Sequence, residues 1–289
     1  MANLKVIKKR ILSVQNTQKI TKAMKMVAAA KLRRAQQAVV SSRPYMNKMT
    51  SIVTEIAVRL SEDKKPGFLK PRDEEKQTRV FVFTSNRGLC GAFNGSLLRF
   101  TEKILRDFIS QGKTFELIVI GKKGNEFFKA RQQKINRFEE TWANGFTFEI
   151  AQDIAKDCVR AYENHKTDAC YFLYNKFSSA ISQKPILEKL LPIALKSENK
   201  QEGVDYLYEP GRVEILNELL PKYLASKIQM FHKESFASEL GARMTAMDSE
   251  TKNASEMIDG LTLKYNRARQ AAITMELLDI VNGSESLKG

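Results

Sequence analysis

The sequence predicts a mixed α/β protein: a long antiparallel coiled coil of N- and C-terminal helices plus a small Rossmann-like α/β domain. Three observations carry this reading. Apolar residues recur every 3.5 positions at both ends of the chain, the first 66 residues contain no glycine, and the middle alternates short apolar runs with amphipathic stretches. The expected division is a coiled-coil helix over 1–60, an α/β domain over 76–210 and a second coiled-coil helix over 212–289.

In the first helix one seam series runs Leu4, Ile11, Gln18, Lys25, Leu32, Val39, Met46, Val53, Leu60, and its companion runs Ile7, Val14, Thr21, Ala28, Ala35, Ser42, Met49, Ile56. Seven of nine and six of eight are apolar, the pattern of a seam sustained over about eight heptads. At about 1.5 Å per residue such a helix is ~90 Å long, deeper than any small-domain core. Gln18, Thr21 and Lys25 interrupt the pattern while Ile20, Met24 and Val27 offer an apolar face over the same turns, which predicts a shift of the seam there. Pro44 lacks an N–H and crowds the preceding turn, so a kink is expected but not a stop.

The second helix repeats the pattern from Met230 to Met275, with alanines that permit close approach. It is expected to span about 60 residues, with Pro221 tolerated if it falls in the first turn. Between the helices, Pro66, Gly67 and Pro71 mark a linker. Residues 79–85, 115–121 and 168–174 then read as buried strands, with helical stretches near 92–112 and 147–164 and further strands near 184–194 and 206–209. This is the rhythm of a largely parallel sheet covered by helices.

Composition excludes several classes. No apolar run approaches the roughly 20 residues that span a bilayer, and the N-terminus has no signal-peptide pattern. Cys90, Cys158 and Cys170 are odd in number and far apart, which fits reduced thiols better than a disulfide framework. Neither His165 nor His232 stands at metal-ligand spacing from a cysteine or from the other. The net charge of +15 is localised: residues 1–60 hold thirteen Lys and Arg against one acid, while residues 212–289 hold ten against eleven. A nucleic-acid reading of the basic helix, through Lys8, Lys9, Arg10, Lys31, Arg33 and Arg34, lacks a stacking platform, because Tyr45 is the one aromatic residue in 1–60. The turn after the first strand carries Gly88, Gly91 and Gly95, a G-x-x-G-x-x-x-G spacing that is neither a dinucleotide fingerprint nor a Walker A loop. No catalytic motif or cofactor site is expected.

Three blocks then carry a resemblance. Ile11–Gln36, Ser85–Asn94 (SNRGLCGAFN) and Glu239–Ser284 closely resemble the N-terminal helix, the S-D-R-G-L-C-G-x-F-N loop and the C-terminal helix of the F-type ATP synthase gamma-subunit family. The resemblance implies a non-catalytic central-stalk rotor of a proton-translocating ATP synthase. Its helix pair would turn inside a ring of three alpha and three beta subunits, with the α/β domain against the epsilon subunit and the c-subunit ring. It would be peripheral, at the cytoplasmic face of a bacterial inner membrane, without nucleic-acid partners. By the same resemblance, Met24, Arg269 and Gln270 are expected to meet beta subunits, and Arg87, Gly88, Leu89, Cys90 and Gly91 the c ring. Asn86 stands where the family usually has Asp, and Ala92 where Gly is common.

Overall fold

The computed structural model describes residues 4–61, 65–140, 145–193, 208–209 and 211–286. Helix α1 spans Leu4–Val58 and helix α5 spans Arg212–Ser286; between them lie β1 (Gln77–Phe83), α2 (Phe93–Ser110), β2 (Thr114–Ile120), α3 (Lys122–Ala130), β3 (Arg137–Glu139), α4 (Phe148–Glu163), β4 (Ala169–Phe177) and β5 (Gln183–Leu191). The chain divides into two compact units, Met1–Ala28 with Arg243–Gly289, and Ala29–Ala242. Each long helix therefore contributes to both.

In the larger unit the sheet order is β3-β2-β1-β4-β5; all neighbours are parallel except β5, which returns antiparallel to β4. Parallel strands are covered on both faces, so their sequences read as continuous apolar runs, and the pleat sorts them. Val80, Val82, Leu117, Val119 and Leu173 point into one core with Leu97, Leu105, Phe108 and Phe128 of α2 and α3. Phe81, Phe83, Ile118, Ile120 and Phe172 point into the other. That second core also takes Ile154 and Cys158 of α4, Met49, Val53 and Ile56 of α1, and Leu220, Leu224 and Ile228 of α5. At about 1.5–3 kcal/mol for each fully buried large aliphatic side chain, these helix segments are integral to the sheet's core. Phe81 stacks on Phe172 with centroids 4.5 Å apart, and Phe172 meets Phe231 of α5 at 5.5 Å.

The structure departs from the sequence reading in four places. The seam of α1 does not shift: Thr21 is buried, while Ile20 and Val27 are 60% and 56% exposed. Helix α5 begins at Arg212, so Pro221 lies in its third turn and not its first, and the helix has 75 residues where about 60 were expected. Helix α3 and the edge strand β3 were not anticipated. Of the strand expected at 206–209, Tyr208 and Glu209 are not in a strand, and residues 206 and 207 lie outside the described residues. Pro44 sits inside a helix that continues past it.

Candidate functional site

The smaller unit is an antiparallel helix pair whose register is fixed by polar contacts. Thr21 Oγ1 lies 2.9 Å from Thr251 Oγ1, and Lys25 Nζ lies 2.5 Å from Asp248 Oδ1. Thr251 also donates to the Met247 carbonyl at 2.7 Å. Moving up α1 from 21 to 25 moves down α5 from 251 to 248, the signature of opposed chains. Lys25 and Lys252 hold the Asp248 carboxyl below the usual carboxylate range. The three polar residues that appeared to break the α1 seam thus belong to it: Gln18 is half-buried, Thr21 buried and Lys25 half-buried. Polar seam positions cost stability and exclude other registers.

Met24 is half-buried beside this layer, and Arg269 and Gln270 are exposed on α5. From Asp248 to Arg269 is 21 residues, about 30 Å of helix, so Met24 and the Arg269–Gln270 pair are separate surfaces. Ala268 and Ala272 keep the seam face beside that pair half-buried. The apolar pattern ends there, and Met275, Leu277, Leu278, Ile280 and Val281 are each 50% exposed or more.

The glycine-rich turn belongs to the larger unit and is braced from within. Asn94 accepts from the Ser85 N–H at 3.0 Å and donates to Ser85 Oγ at 2.7 Å and to Cys90 Sγ at 3.3 Å. Ser85 Oγ donates to the Arg87 carbonyl at 2.7 Å, and Asn86 Oδ1 accepts from the Lys122 N–H at 3.0 Å. An aspartate could serve that last role equally, so Asn86 keeps the geometry. Ala92 has φ −80, which any residue adopts, so no glycine is required there. Gly91 has φ +55 and Leu89 φ +61, the left-handed region that strains a branched side chain. Leu89 is 65% exposed; Arg87 and Gly91 are exposed too, Gly88 is half-buried and Cys90 is buried. Cys90 and Phe93 pack against Ala242 of α5. Among the described residues no group of three or more His, Cys, Asp or Glu is arranged to hold a metal.

The similarities of this chain to known proteins extend over its full length. The ATP synthase family model matches residues 3–287. The ATP synthase gamma chains of Geobacter sp. (strain M21) and Anaeromyxobacter sp. (strain K) are 47% and 43% identical, each covering all of both chains. The chain belongs to the ATP synthase gamma-chain family. Among solved structures, a chain of the Tetrahymena thermophila mitochondrial ATP synthase central stalk and c-ring is 26% identical with TM-score 0.59, covering 80% of this chain and 98% of that one. A chain of the Euglena gracilis mitochondrial ATP synthase, at 20% identity and TM-score 0.69 over 98% of this chain and 94% of that one, shares the fold. Gamma-chain membership gives the register-locked helix pair and the strained loop a common context, since both belong to the blocks that carried the resemblance. Among the described residues no helix is long and apolar enough to cross a membrane.

Proposed function

We infer that the chain is the central-stalk rotor of a proton-translocating F-type ATP synthase, coupling rotation of a c-subunit ring to conformational change at catalytic beta subunits. The observation that carries this reading is the match of the whole chain, end to end, to gamma chains. Residues 1–60 and 212–289 would form the shaft and 76–210 the domain that receives torque. The rotor itself is non-catalytic and needs no cofactor; the chemistry lies in its partners. As an asymmetric shaft turns, it makes different contacts with each beta subunit, and those differences in free energy shift the subunits between open and closed states. The partners are the alpha, beta and epsilon subunits and the c ring, with this chain peripheral at the cytoplasmic face of the bacterial inner membrane.

Met24, Arg269 and Gln270 are assigned to beta-subunit contacts, the last two supported by their exposure. Arg87, Gly88, Leu89, Cys90 and Gly91 are assigned to a partner contact, with the exposed Leu89 as its apolar group; the c ring, which the resemblance implied, and a beta subunit are its two candidate partners. Cys90 packs on Ala242, thirty residues into α5, which anchors the loop to that helix.

Reconstitution with cognate alpha and beta subunits tests the rotor reading: ATP hydrolysis with stepwise rotation of a probe on the chain supports it, and failure to form a complex overturns it. Arg269→Ala with Gln270→Ala should lower turnover in that complex while leaving the melting of the isolated chain unchanged. A Leu89→Cys variant, treated with a short thiol crosslinker in the whole complex, separates the two assignments of the loop by whether beta or c is captured.

A further inference from the structure

One cleft of the larger unit has a composition that the rotor reading does not use. It lies between α1 and α5, has a volume of about 330 Å³, and is mostly apolar with a cationic rim. Its wall is a stack of rings: His232 lies parallel to Phe146 with centroids 4.5 Å apart at 14°, and to Phe236, one turn further along α5, at 6.0 Å and 10°. Phe236 is 42% exposed, so the end of the stack is open. Burial keeps His232 neutral, with a pKa pulled down to about 4, which makes it a ring and not a fourth cation. Across the cleft, Ala35 and Ala38 of α1 leave room for a flat group.

Three cations converge on this space. Lys31 and Arg34 are exposed, and neither has a hydrogen bond or ion pair among the described residues. Lys233 donates to Ser42 Oγ at 2.8 Å and keeps two further N–H groups; burial draws its pKa down, and an anion beside it would offset that effect. No carboxylate lines the cleft.

We propose that this cleft binds a small aromatic anion of the nucleoside-phosphate class, its ring laid against Phe236 and its phosphates held by Lys31, Arg34 and Lys233. The size suits one ring system with its charged group, at the lower end of ligand-pocket volumes. The number of cations selects a polyphosphate, because a single carboxylate would leave two of them unanswered. Guanidinium and ammonium groups on phosphate, with a base on an aromatic face, are the contacts that such ligands use elsewhere. The site is distinct from the glycine-rich turn, and its existence is independent of the rotor assignment.

The test uses the full-length chain at low ionic strength, titrated with ADP by calorimetry and with a fluorescent ribose-labelled ADP. Saturable one-to-one binding is expected, weakened about 5- to 10-fold by Lys31→Ala or Arg34→Ala and at least ~5-fold by Phe236→Ala, and unchanged by Arg87→Ala in the glycine-rich turn. Ribose 5-phosphate, which lacks the ring, should compete poorly. All four substituted residues are exposed, so unaltered circular dichroism will show that the fold survives. The proposal is overturned by absence of saturable ADP binding, by equal affinity in wild type and the three variants, or by a Phe-containing acidic peptide that binds where ADP does not.

Discussion

Thr21 of α1 and Thr251 of α5, 230 positions apart in sequence, place their hydroxyl oxygens 2.9 Å from each other inside the helix seam. The pair is a positional key, since slipping one helix by a turn would bury both hydroxyls against apolar neighbours. Removing one hydroxyl costs the bond between the helices and leaves the other on a carbonyl of its own helix, Gln18 for Thr21 or Met247 for Thr251, whereas replacing both by an isosteric apolar group is nearly neutral. Thr21→Val and Thr251→Val should therefore each cost about 1 kcal/mol, and the double variant less than the sum. Thermal melts of the four proteins measure this; strict additivity would mean that the hydroxyls do not communicate.

His232 makes the larger unit sensitive to acid. Its folded-state pKa of about 4 lies below the ordinary 6.5, so the unfolded chain takes up a proton that the folded chain refuses. The stability linked to this residue is full above 6.5, falls as the pH drops from 6.5 to about 4, and levels off below that. At pH 5 the loss should be about 2 kcal/mol, and His232→Phe should flatten the dependence. Melting temperatures at pH 7.5 and pH 5 decide it.

Gly121 closes β2 against α3 with φ +102, and a Cβ there would collide with the Thr84 carbonyl oxygen. Thr84 Oγ1 meanwhile donates to the Ile120 carbonyl at 3.0 Å and accepts from the Gly124 N–H at 3.0 Å, so the backbone has no room to yield. Gly121→Ala should cost ~3 kcal/mol or more, and a soluble variant with wild-type melting would refute this account.

Asn94 holds the strained loop shut over Cys90. Asn94→Ala orphans the Ser85 N–H at a cost of about 1–3 kcal/mol and frees the turn. The thiol of Cys90 should then react with a maleimide at least ~10-fold faster, while Cys158 and Cys170, buried in the sheet's core, should not change. Equal acceleration at all three would point to global loosening instead.

Much of this architecture was legible locally. The 3.5-residue period named the α1 seam residue by residue, because burial in a helix pair depends only on angle around the axis. The strands at 79–85, 115–121 and 168–174 were visible as apolar runs, since parallel strands are covered on both sides. What escaped depended on partners distant in sequence. Gln18, Thr21 and Lys25 looked like a break because Thr251 and Asp248 were not in the window, and Ile20 and Val27 looked like a replacement seam although they face outward. Helix α3, nine residues long, is too short for its period to stand out. The surfaces were half legible: the glycine spacing excluded a phosphate loop, but only the contact with Ala242 shows which part of α5 the loop accompanies. No sequence signal joined Phe146 to His232 or either to Lys31.

The run from Met275 to Val281 bears on how such a chain survives before assembly. A single helix end with five large apolar side chains in water has no fold of its own to hide them, and surfaces of this kind drive proteins to associate with one another. An orphan copy, made in excess of its partners, is thus a candidate for precipitation or for proteolytic clearance. Balanced synthesis and prompt capture are requirements written into the last turns of α5.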